Sequence, residues 1–205
     1  MTKPTAKHNT ARPHAGLSAG LGLVAAVLLL GIGGFVWRGA SSDRPSIGGP
    51  FTLESGAGKI VTAGDFRGKY MLVYFGYTFC PDICSTALSA MATALETLGP
   101  KTKHLTAVFI TVDPRRDTPQ VMRRYTAALS PNLIGLTGTP DEIAKVASEY
   151  RVYYAKHATG PGPDDYSMDH SSIIYLMGPD GRFIAPIPAE QSPADMAADI
   201  RRLMS

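Results

Sequence analysis

The sequence predicts an α/β domain, a mixed sheet with helices on both faces, carried behind one membrane-spanning segment. Three observations predict it. The continuous apolar run Tyr70 to Phe75 and a second buried-strand pattern, Leu105 to Val112, flank a helical pattern, as in a parallel, right-handed strand–helix–strand unit. Further helical patterns alternate with short strand-like runs, until a hairpin and a last helix close the chain. Ahead of all this, Leu17 to Trp37 contains no charged residue, a length sufficient for a helix to cross a bilayer.

The N-terminal quarter divides by composition. Residues 1–16 carry Lys3, Lys7 and Arg12 with no acid and read as a cytoplasmic tail. Residues 17–37 read as an uncleaved anchor. The apolar run exceeds a signal peptide's usual core of roughly 7–15 residues, its glycines are tolerated in spanning helices, and Trp37 suits the far interface. Ala40-Ser41-Ser42 offers the small residues of a cleavage site, the competing reading. Residues 38–50, rich in Gly, Ser and Pro, form a short linker. Residues 51–205 form the domain. The basic flank places that domain outside the cytoplasm, on the inner membrane and in the periplasm if the cell is bacterial. Of 20 Lys and Arg, three lie in the tail, leaving 17 against 17 acids. A neutral domain has no electrostatic footprint for a phosphate backbone, so nucleic acid is excluded as a partner class.

Within the domain, residues 51–54 and 59–62 alternate around Gly56-Ala57-Gly58 and read as an entry hairpin. Tyr70 to Phe75 reads as a central strand buried on both faces. Ala87, Leu88, Met91, Leu95 and Leu98 then recur at helical spacing until Gly99-Pro100 stops them. After the Leu105 strand, Asp117 or Thr118 caps a helix opened by Pro119. Leu133 to Thr137 is a short strand, Thr139 caps a third helix, and Val152 to His157 is a strand. A Gly/Pro/Asp-rich excursion, residues 159–165, leads through Tyr166-Ser167-Met168-Asp169-His170 to a strand starting at Ser171. That strand turns at Gly178 to Gly181 into a hairpin, and Ser192 starts the final helix. A thioredoxin-like domain with a modest insertion fits this order best.

Chemistry concentrates at Cys80-Pro81-Asp82-Ile83-Cys84, which holds both cysteines of the chain. With Pro81 at the first helical position, Cys80 caps the helix and Cys84 lies one turn on. Their Cβ atoms are then roughly 5–6 Å apart, suited to a disulfide or to two thiolates on one soft metal. A helix N-terminus favours the thiolate of Cys80. A purely structural disulfide closes so short a loop that it stabilises little. Two thiolates alone make an unselective metal site, so a third ligand is sought among five His. His8 and His14 lie across the membrane, and His104 reads as a surface residue. His157 ends a strand, and His170 follows a loop able to fold over the active end of the sheet. Two thiolates and an imidazole suit Cu(I), or less selectively Zn(II) or Cu(II). Asp169 could orient His170 or be a turn residue, and Met168 is a soft donor that equally reads as packing.

Tyr74 to Cys84, Thr111 to Pro119 and Asp169-His170-Ser171, followed by Tyr175 to Gly181, together resemble the Sco/SenC family, from about residue 47 to the C-terminus. The resemblance implies a membrane-anchored thioredoxin-like domain whose Cys80, Cys84 and His170 bind copper, for delivery to the binuclear copper site of cytochrome c oxidase. The implied partners are that oxidase subunit and a thiol–disulfide reductant or another copper chaperone. A second hypothesis is a thiol–disulfide oxidoreductase in which Cys80 attacks and Cys84 resolves. Against it, the spacing is not Cys-x-x-Cys, and His170 stands where a thioredoxin's proline is expected. A thiol peroxidase, suggested by Thr78 with Arg115 or Arg116 near a cysteine, leaves His170 without a role.

Overall fold

The chain enters the sheet through β1 (Thr52–Ser55) and β2 (Ile60–Thr62), an antiparallel hairpin pairing Thr52 with Thr62. The structure is a computed structural model that describes residues 46–204, apart from residue 82 and the side chain of residue 101. The expected tail, the anchor and most of the linker lie outside the described residues. Among the described residues no helix is long and apolar enough to cross a membrane.

After the hairpin come β3 (Tyr70–Gly76), α1 (Ile83–Leu98) and β4 (Leu105–Thr111), then α2 (Pro119–Leu129), β5 (Leu133–Thr137) and α3 (Pro140–Glu149). β6 (Tyr154–Ala158), β7 (Tyr166–His170), β8 (Ile173–Met177), β9 (Phe183–Pro188) and α4 (Pro193–Leu203) complete the order. Seven strands form one mixed sheet in the order β2-β1-β5-β4-β3-β8-β9. β3 runs parallel to β4 in the register Tyr70↔Leu105 to Gly76↔Thr111, and antiparallel to β8. With a strand on either side and helices on both faces, β3 can only be apolar, and Met71 to Gly76 are all buried.

Alternation along β3 sorts the two faces. Tyr74 and Gly76 point one way with Phe109, whose ring meets Tyr125 of α2 at 5.7 Å, and the Gly76 side receives Cys84 of α1. Phe75 points the other way and meets Tyr150, just past the end of α3, at 5.3 Å. α4 packs beside α1. Helix starts follow the sequence signals. Thr118 and Thr139 accept from the backbone N–H groups of Val121 and Glu142. Glu142 returns the contact to the Thr139 N–H at 2.8 Å, closing a capping box. Each such cap contributes about 1 kcal/mol.

Three details differ from the sequence reading. α1 begins at Ile83, so Pro81 lies outside the helix and Cys80 precedes it without capping it, while Cys84 sits in its first turn. The strand expected from Val152 begins at Tyr154, and the one expected from Ser171 begins at Ile173. Tyr166 to His170, read as the approach to a strand, is itself strand β7. It pairs antiparallel with β6 as a ribbon separate from the main sheet, with His170 opposite Tyr154.

Gly76 is fixed by close approach. A Cβ there would lie 2.8 Å from Cys84 Sγ and 3.1 Å from the Phe109 ring. Gly76→Ala is therefore expected to cost about 1–3 kcal/mol through overpacking, measured by urea unfolding with and without a thiol reductant. An unchanged midpoint would show that the sulfur does not sit against the strand end.

Candidate metal centre

The two cysteines arrive from the end of β3. A turn from Tyr77 closes with the Cys80 N–H donating to the Tyr77 carbonyl at 3.3 Å. Both thiols are free. Cys84 is buried beneath the helix start, and Cys80 is half-buried at the cleft. His170, at the end of β7, brings Nε2 to 3.1 Å from Cys84 Sγ. The three ligand atoms all lie within 4.8 Å of one another, and among the described residues no other His, Cys, Asp or Glu cluster is so arranged.

The tautomer of His170 follows from its other nitrogen. Nδ1–H donates to the Ser171 carbonyl at 3.2 Å, which leaves the Nε2 lone pair facing the sulfur. The edges of Tyr74 and Tyr77 meet the imidazole at 6.0 and 6.1 Å between ring centroids and hold its plane. An open cleft of about 440 Å³, lined by Tyr77, Cys80, Ile83, Met168 and His170, leads to the site. A groove of similar size, about 460 Å³, lies between the entry hairpin and α2, but neither a cysteine nor a histidine lines it.

The loop from Asp113 to Thr118 holds both halves of this arrangement. Asp117 is fully buried and accepts from the Thr78 N–H at 2.9 Å, the Thr78 hydroxyl at 2.5 Å and the Thr111 hydroxyl at 2.6 Å. Burial raises its carboxyl above the ordinary value, against these three donors. Asp113 accepts from the Tyr166 hydroxyl at 2.9 Å and pairs with Arg116. Arg116 donates to the Tyr166 carbonyl at 3.0 Å and lies over that ring at 3.6 Å, with Phe79 at 4.8 Å. Thr78 fixes the cysteine turn and Tyr166 fixes the ribbon that ends in His170.

These partners reassign several sequence-level candidates. Asp169 does not hold the His170 Nδ1–H. It pairs at 2.8 Å with His157, which is exposed and outside the site. His104 is exposed, as expected. Met168 lines the cleft and packs on the core. Thr78 and Arg116 are engaged by Asp117 and Asp113, and Arg115 pairs with Asp164, so the peroxidase reading finds its residues in structural roles. From sequence, the loop from Asp113 to Thr118 reads only as the cap of a helix, at Asp117 or Thr118. Its hold on the cysteine turn was hidden, because one carboxylate serving three donors leaves no spacing pattern.

The family follows from comparison with known proteins. The model of the SCO1/SenC family matches residues 39–205. The chain belongs to the SCO1/SenC family. It is 40% identical over 163 residues to the human mitochondrial protein SCO1 homolog, a match covering 77% of this chain and 52% of that protein. It spans about half of that relative's length. Copper-bound ScoI of Bradyrhizobium japonicum is 46% identical with a TM-score of 0.70, covering 77% of this chain and 99% of that one. BsSco, described as carrying a disulfide switch and as a member of the Sco family of cytochrome c oxidase assembly proteins, is 27% identical with a TM-score of 0.61. That match covers 78% of this chain and 94% of BsSco.

Burial pushes the Cys84 thiol up to about 12 and pushes the His170 imidazole below its ordinary value. At neutral pH the first carries its proton and the second is uncharged. A metal entering here displaces the Cys84 proton and meets no proton on His170. The Cys84 proton competes across the whole neutral range, so apparent Cu(I) affinity should fall about tenfold per unit drop in pH for each thiol proton displaced. Competition titrations across the neutral range measure the slope. A flat profile would mean that Cys84 does not ligate as a thiolate.

Proposed function

We propose that this chain is a membrane-anchored copper chaperone that delivers copper to the binuclear copper site of cytochrome c oxidase. Cys80, Cys84 and His170 hold the cargo. The single observation that carries the reading is the convergence of two sulfurs and one imidazole nitrogen within 4.8 Å. That donor set is soft enough for Cu(I) and, with its imidazole, accommodates Cu(II). The copper held by the Bradyrhizobium protein supports the metal, and the description of BsSco supports the destination.

The asymmetry of the ligands suits a cargo that must leave. Cys84 is buried, whereas Cys80 and His170 are both half-buried and line the cleft. Beside Cys80, Phe79 and Ile83 stand 60% and 53% exposed, large apolar side chains in water next to a ligand. An incoming protein that covers them gains apolar burial and brings its own sulfur or imidazole to Cys80, the ligand that can be exchanged first. Residues 1–16, 17–37, 38–50 and 51–205 serve in this reading as cytoplasmic tail, anchor, linker and periplasmic domain. The partners are the oxidase copper-site subunit, a thiol–disulfide reductant and the chaperone that supplies copper.

A second reading is supported by the same asymmetry. With both thiols free, an accessible Cys80 in front of a buried Cys84 is the arrangement of an attacking and a resolving thiol, so the dithiol could reduce cysteines of the recipient. Cu(I) titration of the reduced protein separates the two. The chaperone reading expects one copper per chain and a loss of affinity of at least tenfold in His170→Ala. Equal stoichiometry and affinity in the variant would overturn the three-ligand site. Disulfide exchange that survives His170→Ala and vanishes in Cys80→Ser would assign the main role to thiol chemistry.

A further inference from the structure

We propose that the Tyr74 hydroxyl is a positioning donor for the site: it hydrogen-bonds the Cys84 sulfur in its thiolate form and tunes the copper–sulfur bond. The inference rests on the three-ligand copper reading and adds a group that belongs to none of its ligands.

Tyr74 is fully buried in the middle of β3, and its hydroxyl meets no hydrogen-bond partner of good geometry. A buried hydroxyl is ordinarily satisfied, so this one calls for an account. Its polar neighbours are the Cys84 sulfur and the Ser172 hydroxyl. The backbone brings the first of these close. The small space above Gly76 is shared by Cys84 Sγ and Tyr74 Cε1, which would lie 2.8 and 3.5 Å from a Cβ placed there. The same ring meets the His170 imidazole edge-on at 6.0 Å, so it lies beside two of the three candidate ligands.

A thiol is a weak acceptor, whereas a thiolate is a strong one. With Cys84 protonated and facing His170 Nε2, the Tyr74 hydroxyl has little to bind. Once the proton leaves and the sulfur holds copper, the same hydroxyl faces an anionic acceptor in a dry site. A phenol keeps its proton at neutral pH, so the Tyr74 hydroxyl is a donor throughout. Ser172 can donate to the phenol oxygen and leave the phenol proton for sulfur. The Tyr77 backbone N–H is the other donor to Cys84, so two donors converge on that sulfur. Hydrogen bonds to a ligating sulfur withdraw charge from it, which favours reduced copper and raises the energy of sulfur-to-copper charge transfer.

Tyr125 supplies the control. Its hydroxyl is also buried without a partner on the same side of the sheet, and it feels the charge of Cys84 and Cys80 without a hydrogen bond to either. The experiment loads full-length protein, Tyr74→Phe and Tyr125→Phe with Cu(II) and records the sulfur-to-copper absorption band and the copper reduction potential. The proposal expects Tyr74→Phe to keep one copper per chain, to move the band to longer wavelength and to lower the potential, with Tyr125→Phe unmoved. A site-specific 3-fluorotyrosine at position 74, a stronger donor that keeps the phenol, should move both readouts the opposite way; this covers a Tyr74→Phe chain that fails to fold. Unmoved readouts at position 74, or equal shifts in both phenylalanine variants, overturn the proposal. A wild-type protein with no such band removes the copper reading itself, and the proposal with it.

Discussion

The buried carboxylate of Asp117 is the constraint on which the arrangement depends. A carboxylate withdrawn from water is costly unless its oxygens are satisfied, and here three donors meet it, two from Thr78 and one from Thr111. Thr111 ends β4, Thr78 begins the cysteine turn, and the Asp117 carbonyl accepts from Thr137 at the end of β5. One residue therefore ties two parallel strands and the turn between β3 and α1 at the edge where an α/β sheet places its site. Four residues earlier, Asp113 anchors Tyr166 and with it the β6–β7 ribbon. The cysteines and the histidine lie 86 positions apart in the chain between Cys84 and His170. They are held in register because both supports come from one short loop.

This division of labour leaves the three candidate ligands unequally buried. Cys80 is half-buried and packs on the edge of the core, and its apolar neighbours Phe79 and Ile83 face solvent. Cys84 sits deeper, against Gly76, and His170 is held between two tyrosine edges. A buried sulfur behind two half-buried donors leaves the cluster open to the cleft on one side. The Arg116 guanidinium, stacked between Tyr166 and Phe79, joins the ribbon to the cysteine turn and limits how far that turn can swing.

Much of the fold was legible because local signals and global packing agree. The apolar run of β3 demanded a central strand, Pro119 behind Thr118 and Pro140 behind Thr139 marked two helix starts, and Gly99-Pro100 ended α1. β7 was hidden because only five residues carry its alternation, with Tyr166 buried, Met168 and His170 half-buried and Asp169 outward. A polar ribbon over a sheet end looks like a loop in one dimension. The start of α1 was misplaced because proline signals a first turn without saying whether the turn is taken up into the helix. Asp169 was a natural candidate to orient His170 as its neighbour in sequence. Adjacent strand residues point to opposite faces, however, and that sends Asp169 to His157 instead. The expectation for Cys80, Cys84 and His170 came from residue type and family resemblance, since no spacing rule joins residues so far apart.

The central claim is that two sulfurs and one imidazole close on a single copper ion. X-ray absorption at the copper edge of the loaded, reduced protein tests it most directly. The account predicts a first shell of two sulfur scatterers and one imidazole nitrogen, with the outer-shell imidazole signal lost in His170→Ala. A shell of sulfur alone, or an imidazole signal that persists in that variant, would contradict it.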